Sequence, residues 1–266
     1  MLYESAFSSH AIRQRIESVK QWHKGRMHNE PRAKIWRVPV SQRRRTVRRV
    51  CAALEKEFAN PRLGNPTDSV DDLIYLILSN RTQAKTAQQV YHALKTLRRS
   101  WDEVATLPKR TIERAIKPAG FADIRSNQIS DALRSIKHRF GKCSLATLRQ
   151  CSEEEAHQFL VSLPGVSDKV AKCVMMYTLG FEVLPVDVHV FRVSTRLGWT
   201  SRCRPSECHA DLETLVPPSL RYGFHVNCIA LGRQFCRSTE PFCLACPISK
   251  LCIYSRQRTH EPITTA

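Results

Sequence analysis

Apolar residues recur along most of the chain at three- and four-residue intervals, the spacing of a helix face turned to a core. Val47, Val50, Cys51, Leu54 and Phe58 form one such face, opposite the arginine runs 43–45 and 48–49. The segment NPRLGNPTD (60–68) reads as loop, and LIYLIL (Leu73 to Leu78), apolar on every side, reads as a buried central helix. Further faces are marked by Val90, Ala93, Leu94 and Leu97, by Ile112, Ala115 and Ile116, and by Ile124, Ile129, Leu133 and Ile136. Pro118 with Gly120, and later Gly141, close the last two. Ser152 with Glu155 is a capping box, and Ala156, Phe159, Leu160 and Leu163 continue its helix. No segment alternates as a strand would, so the expected fold is all-α.

Pro164 and Gly165 then stop the chain, Ser167 can cap a new helix, and Val170, Cys173, Val174 and Tyr177 give that helix its apolar face. The unit is helix, short hairpin, helix. Its amides at Gly165, Val166 and Ser167 sit where a helix N-terminus favours a phosphate, a contact that positions a nucleic-acid backbone without reading bases. Lys169 falls in the first turn, where the helix dipole disfavours a cation. Positive potential and partial burial both enrich an amine in its neutral, nucleophilic form. A surface lysine is the plainer reading of that residue alone. Asp187, eighteen residues on, starts a helix carrying Val190, Val193 and Leu197. As a carboxylate there it is an ordinary N-cap, and one helix out and back could also bring it to the cleft that Lys169 faces.

Charge sharpens the picture. The 266 residues hold 42 Lys and Arg against 24 Asp and Glu, a net charge of +18, which favours a polyanionic partner. No run of 18 apolar residues exists, so no membrane-spanning helix is expected. The first residues lack an apolar signal core, and Glu4 and Glu17 weaken a transit-peptide reading. An intracellular protein is expected, in a bacterial cytoplasm or nucleoid or in a nucleus. There the 11 cysteines should stay reduced. Cys236, Cys243, Cys246 and Cys252, spaced C-x6-C-x2-C-x5-C, are then a metal-ligand set, for zinc or for a four-iron four-sulfur cluster.

The residues LPGVSDK (163–169), VDVHVFRV (186–193) and the four C-terminal cysteines together resemble the endonuclease III family of helix-hairpin-helix (HhH-GPD) DNA glycosylases, over roughly Gln42 to Cys252. The resemblance implies a helical barrel with the hairpin over 69–185, and an iron–sulfur domain built from 42–68 and 186–255. It leaves a basic arm at 1–41 and a tail at 256–266. Double-stranded DNA with a damaged base or abasic site would lie in a groove between the two domains, bound by a monomer. Lys169 would be the nucleophile and Asp187 its assisting carboxylate, in a bifunctional glycosylase and abasic-site lyase removing a damaged pyrimidine. The cysteines would hold a four-iron four-sulfur cluster in place of zinc, on a loop offering Arg237 and Lys250 to DNA. His189 matches a family histidine near the cleft. The chain departs from the family at Ser167, where a second glycine is usual. It departs again at Arg81, where the family places a glutamine that fills the space of the flipped base. Asn80 and Gln83 flank it. Arg81 leaves room for a uracil- or thymine-mismatch glycosylase. An adenine-mismatch enzyme is disfavoured by Lys169, and a non-catalytic DNA-binding iron–sulfur protein would need only the hairpin and the basic arm.

Overall fold

The computed structural model describes residues 40–260, with Gln14, Ile16 and Glu17. The arm expected over 1–41 thus lies almost wholly outside the described residues. Among the described residues every regular element is helical and none is a strand. None of these helices is long and apolar enough to cross a membrane. The chain divides into two units, residues 65–185, and 1–64 with 186–266.

Helix α1 (Val40–Phe58) buries Val47, Val50, Cys51 and Leu54, the face read from sequence. A loop leads into unit 65–185 and α2 (Ser69–Ser79). Asp68 caps α2, accepting hydrogen bonds from the amides of Val70 (2.9 Å) and Asp71 (3.1 Å). Leu73 to Leu78 are all buried, so α2 is the central helix of its unit. Around it lie α3 (Ala84–Lys95), α4 (Trp101–Val104), α5 (Lys109–Ile116) and α6 (Ala122–Phe140). Burying a leucine or isoleucine contributes about 1.5–3 kcal/mol, so the buried run of α2 supplies a large share of this core, which the neighbouring helices complete.

One expected core position is wrong. Ile124 is 52% exposed, although Ile129, Leu133 and Ile136 of the same helix are buried. At 3.6 residues per turn, the position one turn before Ile129 falls between 125 and 126. Arg125 and Ser126 are the residues buried there.

α7 (Glu153–Ser162) opens on the expected capping box: Glu155 donates its amide to the Ser152 hydroxyl (3.2 Å), and its carboxylate accepts from the Ser152 amide (2.9 Å). α8 (Asp168–Val174) completes the hairpin and widens into a π-type turn over Met175–Leu179, which spacing did not foreshadow. The other unit adds α9 (Val188–Arg196), α10 (His209–Leu215), α11 (Pro218–Gln234) and α12 (Ile253–His260) to α1. α1 packs on α11, and Phe58 meets Phe235 at 6.3 Å between ring centroids.

Candidate active site and cysteine cavity

In unit 65–185 the hairpin is built as the residues suggest. The Val166 amide donates to the Leu163 carbonyl (3.1 Å), closing the turn, and the Ser167 hydroxyl accepts from the Val170 amide (3.4 Å). Gly165 has φ +80°, and a Cβ there would lie 2.8 Å from Gln128 Cδ. Gly165→Ala should therefore cost about 1–2 kcal/mol and loosen the hairpin, read as a lower melting temperature and weaker duplex binding. Gly165 and Ser167 are exposed and Val166 is buried. Asp168 is joined to α7 through His157 Nε2 (2.7 Å). Lys169, next along, is half-buried in the first turn of α8.

The loop after α2 carries Asn80, Arg81 and Gln83, all exposed. Arg81 holds φ +56°, a left-handed conformation that costs a non-glycine residue about 1–2 kcal/mol. Its neighbours are pinned from below by Arg125, which sequence reading missed. Arg125 Nη1 donates to the Leu78 carbonyl (3.2 Å), the Thr82 hydroxyl (2.9 Å) and the Ala119 carbonyl (3.0 Å), and Nη2 donates to the Asn80 carbonyl. Burial lowers the pKa of this guanidinium from its usual value. Phe121, also missed, is 62% exposed at φ +52°, and the Arg125 guanidinium lies 5.8 Å from its ring centroid. One buried cation thus supports both an arginine loop and an exposed aromatic.

In the unit of residues 1–64 with 186–266, Asp187 is the N-cap of α9, accepting from the amides of His189 (2.9 Å) and Val190 (2.8 Å). His189 Nδ1 is 3.1 Å from Arg192 Nη2. A guanidinium only donates, so Nδ1 accepts and the ring proton sits on Nε2. Burial lowers the His189 pKa despite the opposing pull of Asp187, which keeps the ring neutral. A Cβ on Gly232 would come within 2.2 Å of His189 Nδ1, so only glycine lets α11 approach α9 here.

Cys236, Cys243, Cys246 and Cys252 line one small cavity, otherwise walled mainly by apolar groups such as Val193, Leu197, Phe235 and Ile248. Among the described residues no three His, Cys, Asp or Glu side chains converge closely enough to hold a metal ion. The cavity is braced from α9. Arg192 Nε donates to the Cys236 carbonyl (2.8 Å). Arg196 Nη1 donates to Cys236 Sγ (3.2 Å) and to the Arg237 carbonyl (2.7 Å), and it stacks 4.6 Å from the Tyr254 ring. Burial, reinforced by the neighbouring thiols, pushes Cys252 up to about 12 and raises Cys243 and Cys246. Such thiols become thiolates when a cationic core displaces their protons. Four sulfurs on one apolar cavity, with an arginine donating to one of them, fit a thiolate-ligated group. Arg237 stacks on Phe242 (4.3 Å) and donates to the Glu240 carbonyl (3.4 Å), so it belongs to the fabric of the loop; Lys250 is exposed.

The helical architecture is shared with solved structures. A trapped endonuclease III–DNA covalent intermediate superposes with a TM-score of 0.70 at 24% identity, over 82% of this chain and 99% of the other. A thermostable thymine-DNA glycosylase gives 0.67 at 22%, over 82% and 98%. In sequence, endonuclease III of Thermotoga maritima is 28% identical over 198 residues, 74% of this chain and 89% of its own. Endonuclease III of Synechocystis is 30% identical over 181 residues, 68% and 78%. A candidate DNA glycosylase of Arabidopsis thaliana is 30% identical over 161 residues, 60% of this chain, and the match spans about half (54%) of its length. Residues 74–218 match the HhH-GPD superfamily of base excision DNA repair proteins, and the chain belongs to that family.

Proposed function

We propose that this protein is a bifunctional DNA glycosylase and abasic-site lyase of the endonuclease III type. The observation that carries the reading is Lys169, half-buried in the first turn of the second hairpin helix of a chain from a base excision repair family. A nucleotide must leave the stack before C1′ is accessible. Arg81 and Phe121 are the side chains offered to the gap, a cation able to hydrogen-bond the orphaned base and an apolar wedge able to unstack it. The hairpin amides of Gly165, Val166 and Ser167 would hold a phosphate.

The chemistry then follows from an amine and a carboxylate. Lys169 Nζ, as free amine, bonds to C1′ while the C1′–N glycosidic bond breaks and the base leaves with the electron pair and a proton. By the family resemblance, Asp187 would be the carboxylate whose negative charge offsets the electron-poor sugar. Ring opening gives a Schiff base between Nζ and C1′. Removal of a C2′ proton and departure of the 3′ phosphate cut the strand by β-elimination. Water then releases Lys169 and leaves an unsaturated aldehyde.

Cys236, Cys243, Cys246 and Cys252 would ligate a four-iron four-sulfur cluster, which when bound supplies structural cross-linking of the loop 236–252. Arg192 and Arg196 would hold that loop's backbone and one sulfur. The expected substrate is a damaged pyrimidine. Arg81, standing where endonuclease III relatives are expected to carry glutamine, favours mismatched thymine or uracil as the second reading.

Three measurements test the proposal together. Borohydride should trap the protein on an abasic duplex. Base release, scored separately from nicking over duplexes each with one altered base, should favour a pyrimidine lesion. The purified protein should contain iron and inorganic sulfide. Base release without any covalent adduct would reduce the reading to a monofunctional glycosylase, and zinc in place of iron would overturn the cluster.

A further inference from the structure

Two adjacent aspartates in α2 have opposite surroundings. Asp71 Oδ1 accepts from Trp101 Nε1 (2.6 Å), and its other oxygen is paired with Lys95. Asp72 is 0% exposed. Its Oδ1 accepts one hydrogen bond, from Asn65 Nδ2 (2.7 Å), and its Oδ2 is buried with no hydrogen-bond partner. A buried carboxylate left half-satisfied costs several kcal/mol, and such a group in a stable core calls for a reason. The cation whose field reaches it is Lys169, on α8, which packs against α2.

Several other charged groups around the pair are engaged elsewhere, and Lys172, buried on α8, is a second cation on the same helix. On α3, Lys95 pairs with Asp71, and Tyr91 has its pKa pushed up by burial, then Asp71 and, more weakly, Asp68 and Asp72. On α6, Arg125 is committed to the carbonyls of Leu78, Asn80 and Ala119. On the α8 side, Asp168 is held by His157 from α7. The π-type turn over Met175–Leu179, also against α2, offers Tyr177.

We propose that Asp72 is a positioning residue for Lys169, a core-buried counter-charge that sets the protonation state of the nucleophile from within its own unit. This role rests on the lysine chemistry proposed above. Two forms of equal net charge are in balance, ammonium with carboxylate and amine with carboxylic acid, coupled through the field between the groups and not through a shared hydrogen bond. Passing from the first form to the second, Nζ loses one proton and the Asp72 carboxyl gains one, which leaves the electron pair on Nζ for C1′. The proton count of the protein is unchanged.

Burial holds the Asp72 carboxyl up to about 7, against the lowering effects of Asn65 and Lys169. Coupling is reciprocal: a cation that lowers the carboxyl pKa has its own raised equally by the anion. Below about pH 7 Asp72 is protonated, and the free-amine fraction rises tenfold per pH unit. Above it Asp72 is ionised and holds Lys169 as ammonium, so the free-amine fraction levels off.

The test is the single-turnover rate of nicking on a preformed abasic duplex between about pH 5.5 and 9, with the full-length protein. The wild type should bend to a plateau near pH 7. Asp72→Asn, which is isosteric, should keep rising through pH 7 and overtake the wild type several-fold by pH 8. Asn65→Ala removes the donor that lowers the carboxyl pKa, so its bend should move to higher pH. A folded Asp72→Asn variant that keeps the wild-type bend overturns the role. If Asp72→Asn does not fold, an unmoved bend in Asn65→Ala overturns it just as well. A wild type that forms no trapped adduct overturns the lysine chemistry and this role with it, whereas an adduct with an unaltered profile in both variants overturns Asp72 alone.

Discussion

Lys169→Gln is expected to abolish the borohydride-trapped adduct and slow nicking of an abasic duplex by on the order of a thousandfold or more, with duplex affinity nearly unchanged. Glutamine keeps the helix propensity of lysine on a side chain one atom shorter and has no basic nitrogen, so it forms no Schiff base. The hairpin does not depend on the lysine for its shape. Ser167 caps α8, Gly165 makes the turn and His157 holds Asp168, none of them through Lys169. A cation in the first turn of a helix opposes the dipole by about 0.3–1 kcal/mol, which offsets part of the stability lost with the Asp72 counter-charge, so the variant should melt close to the parent. Asp187→Asn separates the second role. Asparagine caps a helix about as well as aspartate, so the amides of His189 and Val190 keep their acceptor while the negative charge is lost. Turnover should fall with binding and melting unchanged. Gel electrophoresis after borohydride treatment reads the adduct directly. A Lys169→Gln protein that still cross-links would assign the nucleophile to another amine.

The features legible in the sequence are those whose cause is local. Leu73 to Leu78 are apolar on all sides because α2 is surrounded, and the Ser152–Glu155 box states its own geometry in two residues. Pro164, Gly165 and Ser167 likewise specify stop, turn and cap within four positions. The cysteine spacing was readable as a cluster because residues that line one cavity from one loop lie close in sequence. Arg125 was not readable. It stands where an amphipathic pattern allows a charged residue on a solvent face, and its acceptors at Leu78, Asn80 and Ala119 gather only after folding. Asp72 passes in the sequence for an acid complementing a helix start, as Asp71 does, and only packing distinguishes them. Arg192 and Arg196 read as the polar side of α9, yet they brace the cysteine loop some forty residues away. Asp187 fitted two readings from the start. The capping role is now explicit, and it leaves the chemical role open to a carboxylate whose place is fixed by two amides.

Arg125→Met should destabilise unit 65–185 by about 3–5 kcal/mol, the range for removing one partner from a buried charged network. Methionine fills much of the volume, so cavity formation is a minor part of the cost. The larger part is polar. Three carbonyls and the Thr82 hydroxyl lose a charged donor, and each buried acceptor left alone costs about 1–3 kcal/mol, discounted where water can enter. The loop should fail before the core does. Arg81 sits at φ +56°, a strained conformation retained because Arg125 fixes the Asn80 carbonyl before it and the Thr82 hydroxyl after it. Without that clamp the loop can relax, and Arg81 is no longer presented in one pose. Arg125→Lys should recover only part of the loss, since an ammonium cannot span four acceptors with the planar fork of a guanidinium. Arg81→Ala provides the contrast: it should weaken duplex binding with no loss of stability, because its side chain is exposed. Thermal melting and duplex affinity of the two single variants and the double variant then form a cycle. If Arg125 acts on DNA through the loop, the Arg81→Ala change should cost far less affinity in the Arg125→Met background than alone. Full additivity would mean that Arg125 serves the core only.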